Sequence, residues 1–265
     1  MLVIIKTQGD RVQDLPLNKL EGKGFFTKEI EEQLISAKID IAVHSLKDLP
    51  TNGVEGLTLA GVSYREDPAD WLIINRESYD VSLPMQIKKH AVVGTSSIRR
   101  KTQLLHFRSD LSTKDIRGNV PTRLKKLKEE QFDGIVLAAA GLKRLALDLS
   151  EFEVFKFNPK EFIPAPAQGV VAYQVRQNDV DMRRLIKHIH HSDVSACSNV
   201  ERKVLQLLDG GCHTPLGVYC EKDERGNFHA YSSYAKNENN PLEFQRLSYS
   251  TNHKLAEDLF AKLNN

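Results

Sequence analysis

Through the first two-thirds of the chain, short β-branched apolar runs alternate with stretches whose apolar residues recur every three or four positions. The runs predict strands over residues 2–6, 39–44, 57–62, 71–75, 91–93, 114–116 and 134–138. The amphipathic stretches predict helices over 27–37, where Ile30 and Leu34 lie one turn apart, over 98–107, and over 120–130, with Leu124 and Leu127. This alternation predicts parallel sheets with crossover helices. Two Pro-containing stretches, "REDPAD" (65–70) and "FIPAPAQG" (162–169), interrupt it, and a further apolar run over 170–175 comes after the second. A chain that leaves one lobe, builds a second and returns fits both interruptions. The expected domains are therefore 1–65 plus 169–187, and 69–163. From His191 the pattern changes. Ser192 or Asp193 is expected to cap a helix carrying Val194, Cys197, Val200, Val204 and Leu208. Strands over 216–220, 228–234 and 244–250 come next, the first two joined by a "KDERGN" hairpin turn, and a helix over 254–263 closes the chain. The fold class expected is α/β: two doubly wound lobes plus a small C-terminal α+β domain (190–265) with a three-stranded antiparallel sheet and helices.

Composition adds limits. The 265 residues are 40% hydrophobic and 27% charged, an ordinary balance for a soluble globular protein. No stretch reaches the roughly 18 uncharged apolar residues of a membrane span. The start, "MLVIIKTQGD", does not read as a secretory signal. With three cysteines, the expectation is a cytoplasmic protein with no disulfide framework. The net charge is only +2, but the segment 95–144 holds 12 Lys/Arg against 5 Asp/Glu. A basic middle implies an anionic partner. Aromatics interleaved with those cations are nearly absent, Phe107 and Phe132 excepted, so no nucleic-acid partner is expected and small polyanions fit better.

In open parallel sheets, ligands collect beyond the carboxyl ends of strands. The residues just past each expected strand are therefore informative. "SLKDLP" presents Lys47 and Asp48. "GTSSIRR" presents Thr95, Ser96 and Ser97, then a helix start with Arg99 and Arg100, where backbone N–H groups favour anions. "RGNVPTR" carries Arg117 and Arg123, "AAGLKR" carries Lys143 and Arg144, and "NKLEGKGFFTKE" places Lys19 and Lys23 ahead of a helix. Arginine suits planar bidentate pairing with carboxylates, and lysine supplies a movable point charge. The set favours a ligand with several carboxylates or phosphates. Neither a G-x-x-x-x-G-K-[ST] loop nor a G-x-G-x-x-G turn is present. His188, His190 and His191 lack partners at metal-ligand spacing and read as a linker or helix end, so no metal is expected. Cys197 and Cys220 fall on core patterns. Cys212 does not: it comes after Gly210 and Gly211 in "DGGCHTPLG", where a thiol can face a cleft as a nucleophile, or simply fill a tight turn.

The stretch "ERKVLQLLDGGCHTPLG" (201–217) resembles the signature of the porphobilinogen deaminase (hydroxymethylbilane synthase) family. "GKGFFTKE", "DIAVHSLKDLPT", "REDPAD", "GTSSIRR", "RGNVPTRLKKL", "AAAGLKRL" and "PAQG" resemble further family stretches in the same order. The resemblance implies three domains, the first two sharing the architecture of type II periplasmic binding proteins, and a covalent dipyrromethane cofactor held by a thioether to Cys212. It implies a monomeric, cytoplasmic transferase of haem (tetrapyrrole) biosynthesis. Such an enzyme joins four porphobilinogens head to tail, loses ammonia at each step, and releases the linear tetrapyrrole hydroxymethylbilane by hydrolysis. By resemblance, Lys19, Lys23, Lys47, Thr95, Ser96, Ser97, Arg99, Arg100, Arg117, Arg123 and Arg144 bind carboxylates of cofactor and substrate. Asp48 is the catalytic residue, placed to hydrogen-bond pyrrole N–H groups and stabilise the cation formed as ammonia leaves.

Two departures accompany the resemblance. The family's opening strand and its "GTRxSxLAxxQ" stretch have no counterpart, so this polypeptide alone is expected to fold poorly or show little activity. Ala167 stands where relatives often carry Gly. The alternative functions are a non-catalytic anion-binding protein and an inactive homologue that only binds polycarboxylates.

Overall fold

The computed structural model describes residues 1–5, 7, 27–129, 132–209, 214–237 and 240–264. Three sheets organise them. The first contains β1 (Ala42–Ser45), β2 (Leu57–Val62) and β8 (Val171–Arg176) in the order β1-β8-β2, with α1 (Lys28–Ile35) and α5 (Val180–Lys187) against it. The second has five strands in the order β5-β4-β6-β3-β7: β3 (Asp70–Asn75), β4 (Val92–Gly94), β5 (Ser112–Lys114), β6 (Gly134–Ala138) and β7 (Phe152–Lys156). Its helices are α2 (Ile98–Phe107), α3 (Val120–Glu129) and α4 (Ala139–Arg144). One face packs on Leu72, Ile74, Val93, Leu104 and Val136, the other on Ile73, Leu124, Leu127, Ile135 and Leu142. The third sheet, β9 (Leu216–Lys222), β10 (Phe228–Tyr234) and β11 (Glu243–Tyr249), is an antiparallel meander. It is covered by α6 (Ser192–Leu207) and α7 (Leu255–Leu263), over a core of Val200, Val204, Leu216, Val218, Ala230 and Leu259. The α/β class and the separate three-stranded antiparallel sheet are as expected.

Strand direction is not uniformly parallel. In the second sheet β4 runs parallel to β5 and β6, whereas β3 is antiparallel to β6 and β7. In the first sheet β8 is antiparallel to both neighbours. The cause is the route of the chain. β3 and β8 each come directly after one of the two crossings, so each enters its sheet at the edge where its neighbours end. Asp70, the first residue of β3, lies opposite Ala138, the last of β6; Val171, the first of β8, lies opposite Ser45, the last of β1.

Other expectations shift. The apolar run at 2–6 forms no strand among its described residues, and Leu2 and Ile4 are exposed: without a ladder partner an apolar run leaves its backbone polar groups to water. The strand expected at 114–116 is Ser112–Lys114, because pairing with β4 ends where Thr95 N–H bonds Lys114 O. The cap of α6 is His191, whose Nδ1 accepts from Val194 N at 3.4 Å, rather than Ser192 or Asp193. His190 Nδ1 accepts from Val62 N, tying the linker to β2. β7, α4 and α5 have no counterpart among the expected elements.

The two crossings touch. Glu66 N–H bonds Gly169 O at 2.9 Å, and a side chain at Gly169 (φ +89°) would collide with the Glu66 carbonyl, so that position requires glycine. Ala167 adopts φ +62°, a left-handed backbone conformation that favours glycine.

Candidate functional site

The carboxyl ends of β1, β4, β5 and β6 and the amino ends of β3 and β8 come to one edge. After β1 the chain makes a 3₁₀ turn, Leu46–Asp48, leaving Lys47 half-buried and Asp48 exposed. After β4, Thr95 is buried, and its Oγ1 accepts from Ser97 N at 3.2 Å. Ser97 caps α2, its Oγ accepting from Arg100 N. A hydroxyl that accepts can still donate, so Thr95 and Ser97 each retain an O–H for a carboxylate. Ser96 is placed differently: its Oγ donates to Ile116 O at 2.9 Å and accepts from Ile116 N at 3.0 Å, joining the β4 and β5 ends.

Arg99 and Arg100, at the start of α2, are both buried and both turn to Asp70. Arg99 Nη1 lies 2.9 Å from Asp70 Oδ2 and donates to Ile163 O at 2.8 Å. Arg100 donates through Nε (3.1 Å) and Nη2 (2.7 Å) to Asp70 Oδ1, and through Nη1 to Val136 O. A guanidinium has five N–H donors, more than the three these bonds use at Arg100. Gln168, just before β8, links the first two sheets: its Nε2 donates to Asp70 Oδ1 at 3.0 Å and to Pro68 O at 2.8 Å, and its Oε1 accepts from Lys47 Nζ at 3.4 Å. Arg123, half-buried on α3, donates to Gly118 O at 2.7 Å. Arg144 is exposed and bonds Gly169 O at 2.8 Å, securing the second crossing.

Among the described residues, positive charge exceeds negative here. Lys47, Arg99, Arg100, Arg117 and Arg123 act on one another or share Asp48, Asp70 and Asp115 as their carboxylates. Burial lowers the Lys47 ammonium, and Arg100 and Arg99 add to the effect against Asp48 and Asp70. Burial, with Arg100 and Arg117 beside it, pushes Arg123 down to about 10. Burial alone would raise Asp70, but Arg100 and Arg99 outweigh it and hold the carboxyl well below the usual range. Such an edge is stabilised when an anion enters.

The C-terminal unit grips this edge through consecutive residues of α6. Glu201, fully buried, accepts from Arg65 Nη1 (2.6 Å) and Nη2 (3.2 Å), from Ala167 N (2.6 Å) and from Cys220 N (2.7 Å), tying both crossings to β9. Arg202 donates to Leu46 O (2.9 Å), Leu49 O (2.7 Å) and Pro50 O (2.8 Å), and so fixes the turn that carries Lys47 and Asp48. Gly217 lies against the second crossing: an added Cβ would stand 2.5 Å from Ile163 O there and 2.6 Å from Ser233 Oγ of β10. Cys212, Lys19 and Lys23 lie outside the described residues. Cys197 and Cys220 are buried in the C-terminal core. Among the described residues no group of three His, Cys, Asp or Glu side chains could hold a metal ion.

A family model described as "Porphobilinogen deaminase, dipyromethane cofactor binding domain" matches residues 1–184, a span containing both crossings and every cation of this edge. The chain belongs to the porphobilinogen deaminase family. It is 44% identical over 219 residues to a porphobilinogen deaminase of Clostridium novyi, covering 82% of this chain and 72% of that one. It is 46% identical over 220 residues to one of Francisella tularensis subsp. tularensis, covering 83% and 71%. Among solved structures, an ABC transporter protein from Parabacteroides distasonis aligns with TM-score 0.40 and 14% identity over 69% of this chain and 62% of that one. An arginine-specific periplasmic binding protein of Salmonella typhimurium aligns with TM-score 0.38 and 12% identity over 60% and 67%.

Of the positions the sequence singles out, Lys47, Asp48, Thr95, Ser97, Arg99, Arg100, Arg117 and Arg123 gather around the strand ends, and Arg144 stands at the crossing. Asp70 and Gln168 escape sequence reasoning. Both precede or begin antiparallel strands, and a search confined to carboxyl ends passes over them. Glu201 and Arg202 are in view inside "ERKVLQLLDGGC", but only their position relative to the crossings reveals what they hold.

Proposed function

We propose that this chain is a hydroxymethylbilane synthase, a transferase of haem biosynthesis that condenses porphobilinogen on a dipyrromethane held by Cys212. The observation that carries this reading is the excess of cations beside an exposed carboxylate, Asp48, at one edge of a porphobilinogen deaminase fold. Acetate and propionate groups on each pyrrole suit that edge, and the residues present fit the cofactor. Lys47, Arg117 and Arg123 would hold its carboxylates, Thr95 and Ser97 would donate hydroxyl bonds, and Arg99 and Arg100 would add donors and a positive floor fixed by Asp70. When bound, the dipyrromethane supplies the pyrrole carbon to which new units are joined.

The chain's own residues do the rest. Asp48 accepts pyrrole N–H bonds and faces the positive charge that develops as ammonia leaves porphobilinogen. Arg202 keeps that carboxylate in place by holding three carbonyls of its turn. Within this reading the lobes are 1–65 plus 169–187 and 69–163, the cofactor-carrying unit is 190–265, and a cytoplasmic monomer releases a linear tetrapyrrole. No helix among the described residues is long and apolar enough to cross a membrane.

The test is intact mass together with turnover. Chain expressed with porphobilinogen available should gain the mass of two pyrrole units, lost in Cys212→Ser. Asp48→Ala should keep the attached group and lose porphobilinogen consumption. An unmodified wild-type mass, or full turnover in Asp48→Ala, overturns the assignment.

A further inference from the structure

Between the turn that carries Lys47 and Asp48 and the start of β2, residues 51–53 span two fixed points. On one side Arg202 holds Pro50 O at 2.8 Å. On the other, Val54 O accepts from Leu57 N at 3.1 Å, and Val54 packs against the cluster of Leu34, Ala42 and Leu57. Among the described residues, Thr51, Asn52 and Gly53 make no hydrogen bond, and Asn52 and Gly53 are exposed. Asn52 is the one asparagine of the chain that a glycine follows. Neither backbone nor space demands that glycine: its φ lies outside the left-handed range, and an added Cβ would meet nothing within 4 Å. Other asparagines are held. The Asn75 amide donates to Leu127 O at 3.0 Å and to Phe132 O at 2.6 Å, and the Asn227 amide donates to Asp223 Oδ2 at 3.0 Å. At Asn52 the side-chain amide and the next backbone nitrogen have no such ties.

We propose that Asn52 is a site of spontaneous deamidation through a cyclic imide formed with Gly53. The Gly53 backbone nitrogen attacks the Asn52 side-chain carbonyl carbon and a new C–N bond forms. The old amide C–N bond breaks, and ammonia leaves with the proton that Gly53 nitrogen gives up. The imide then takes up water. Opening at the side-chain carbonyl restores the main chain and leaves aspartate, whereas opening at the main-chain carbonyl leaves isoaspartate. Either way one water is consumed and one ammonia is released, with nothing oxidised or reduced. Glycine favours the attack because no Cβ crowds its nitrogen. The unanchored span favours it because the backbone has to turn to bring nitrogen and carbon together, and no hydrogen bond within 51–53 must break first. The product carries a new carboxylate in the loop that leads away from Lys47 and Asp48. Its isoaspartate form also lengthens the main chain between the anchors at Pro50 and Val54.

The test keeps the full chain in warm, mildly alkaline buffer for weeks and samples it by peptide mapping with mass spectrometry. The expected result is a peptide containing residue 52 that gains the mass by which an acid exceeds its amide. It should elute as two species, and the isoaspartate one should accept a methyl group from an isoaspartyl methyltransferase. The peptides with Asn75 and Asn227 should stay unchanged over the same period. In Gly53→Ala, whose Cβ has open space, the conversion should slow roughly tenfold. An unchanged residue-52 peptide, equal conversion at Asn75 or Asn227, aspartate without isoaspartate, or a Gly53→Ala chain that converts as fast as the wild type would each overturn the proposal. Water is the only reactant, so the result is read without porphobilinogen and failure of either idea leaves the other standing.

Discussion

Two fully buried carboxylates hold the molecule together, and they are balanced differently. Glu201 meets one guanidinium, Arg65, and two backbone N–H groups, so its charge is matched one for one. Burial would lower Arg65, but Glu201 outweighs it and holds that cation firmly protonated. Asp70 meets two guanidiniums and the Gln168 amide, with Lys47 close by, so among the described residues its surroundings keep an excess of positive charge. The contrast teaches where to look for a ligand. A buried ion pair that closes its own charge is a joint; one that leaves charge over, at an edge with an exposed carboxylate, is a place for an anion.

The sharpest way to break this contrast is to remove each carboxylate. Glu201→Ala and Asp70→Ala should each lose about 3–5 kcal/mol, since each strands a buried cation. Denaturant unfolding measures both. Added polycarboxylate should restore part of the loss in Asp70→Ala and none in Glu201→Ala; equal rescue would erase the distinction. Next, Lys47→Ala and Arg123→Ala should each cost about 1.5–3 kcal/mol of transition-state or ligand binding, roughly 10–100-fold in kcat/KM, with little change in stability. Because burial already lowers the Lys47 ammonium, it loses its proton as pH rises before an ordinary lysine would, near pH 10.4. Anion binding should therefore weaken on the alkaline side below that pH, and Lys47→Arg should move the falling limb upward. A pH profile that Lys47→Arg leaves in place would remove Lys47 from the site.

Smaller effects test the joint itself. Gly217→Ala should destabilise by about 1–3 kcal/mol through overpacking against the second crossing, read as a lower unfolding midpoint. Ala167→Gly should change stability by no more than about 1 kcal/mol, in the stabilising direction, because it relieves a left-handed backbone. A loss there would mean that the Ala167 methyl, buried beside Leu46 and Val170, matters more than its φ.

Most elements are legible in the sequence because their cause is local. α2 begins at Ser97, which caps it, and its burial matches the pattern read from 98–107. β2, β6 and β10 fall where their apolar runs predict. The cations are legible because each comes just past a strand. Direction is not: nothing in 70–75 or 171–176 says that these strands run against their neighbours, since that depends on where the crossings deliver the chain. Asp70 and Gln168 escape notice for that reason, and so does the engagement of Arg99 and Arg100 by a protein carboxylate. The run at 2–6 has strand composition, but its described residues pair with no other described residue, and a strand is defined by its ladder as well as its side chains.

The most direct measurement is calorimetric titration of the wild-type chain and a Lys47→Met/Arg123→Met double variant with a pyrrole polycarboxylate, at matched ionic strength. Binding in the wild type that falls at least 100-fold in the double variant, while both unfold at similar denaturant concentration, would place the anion at the Asp70 edge. Equal affinity in the two chains would put it elsewhere and undo the contrast between the two carboxylates.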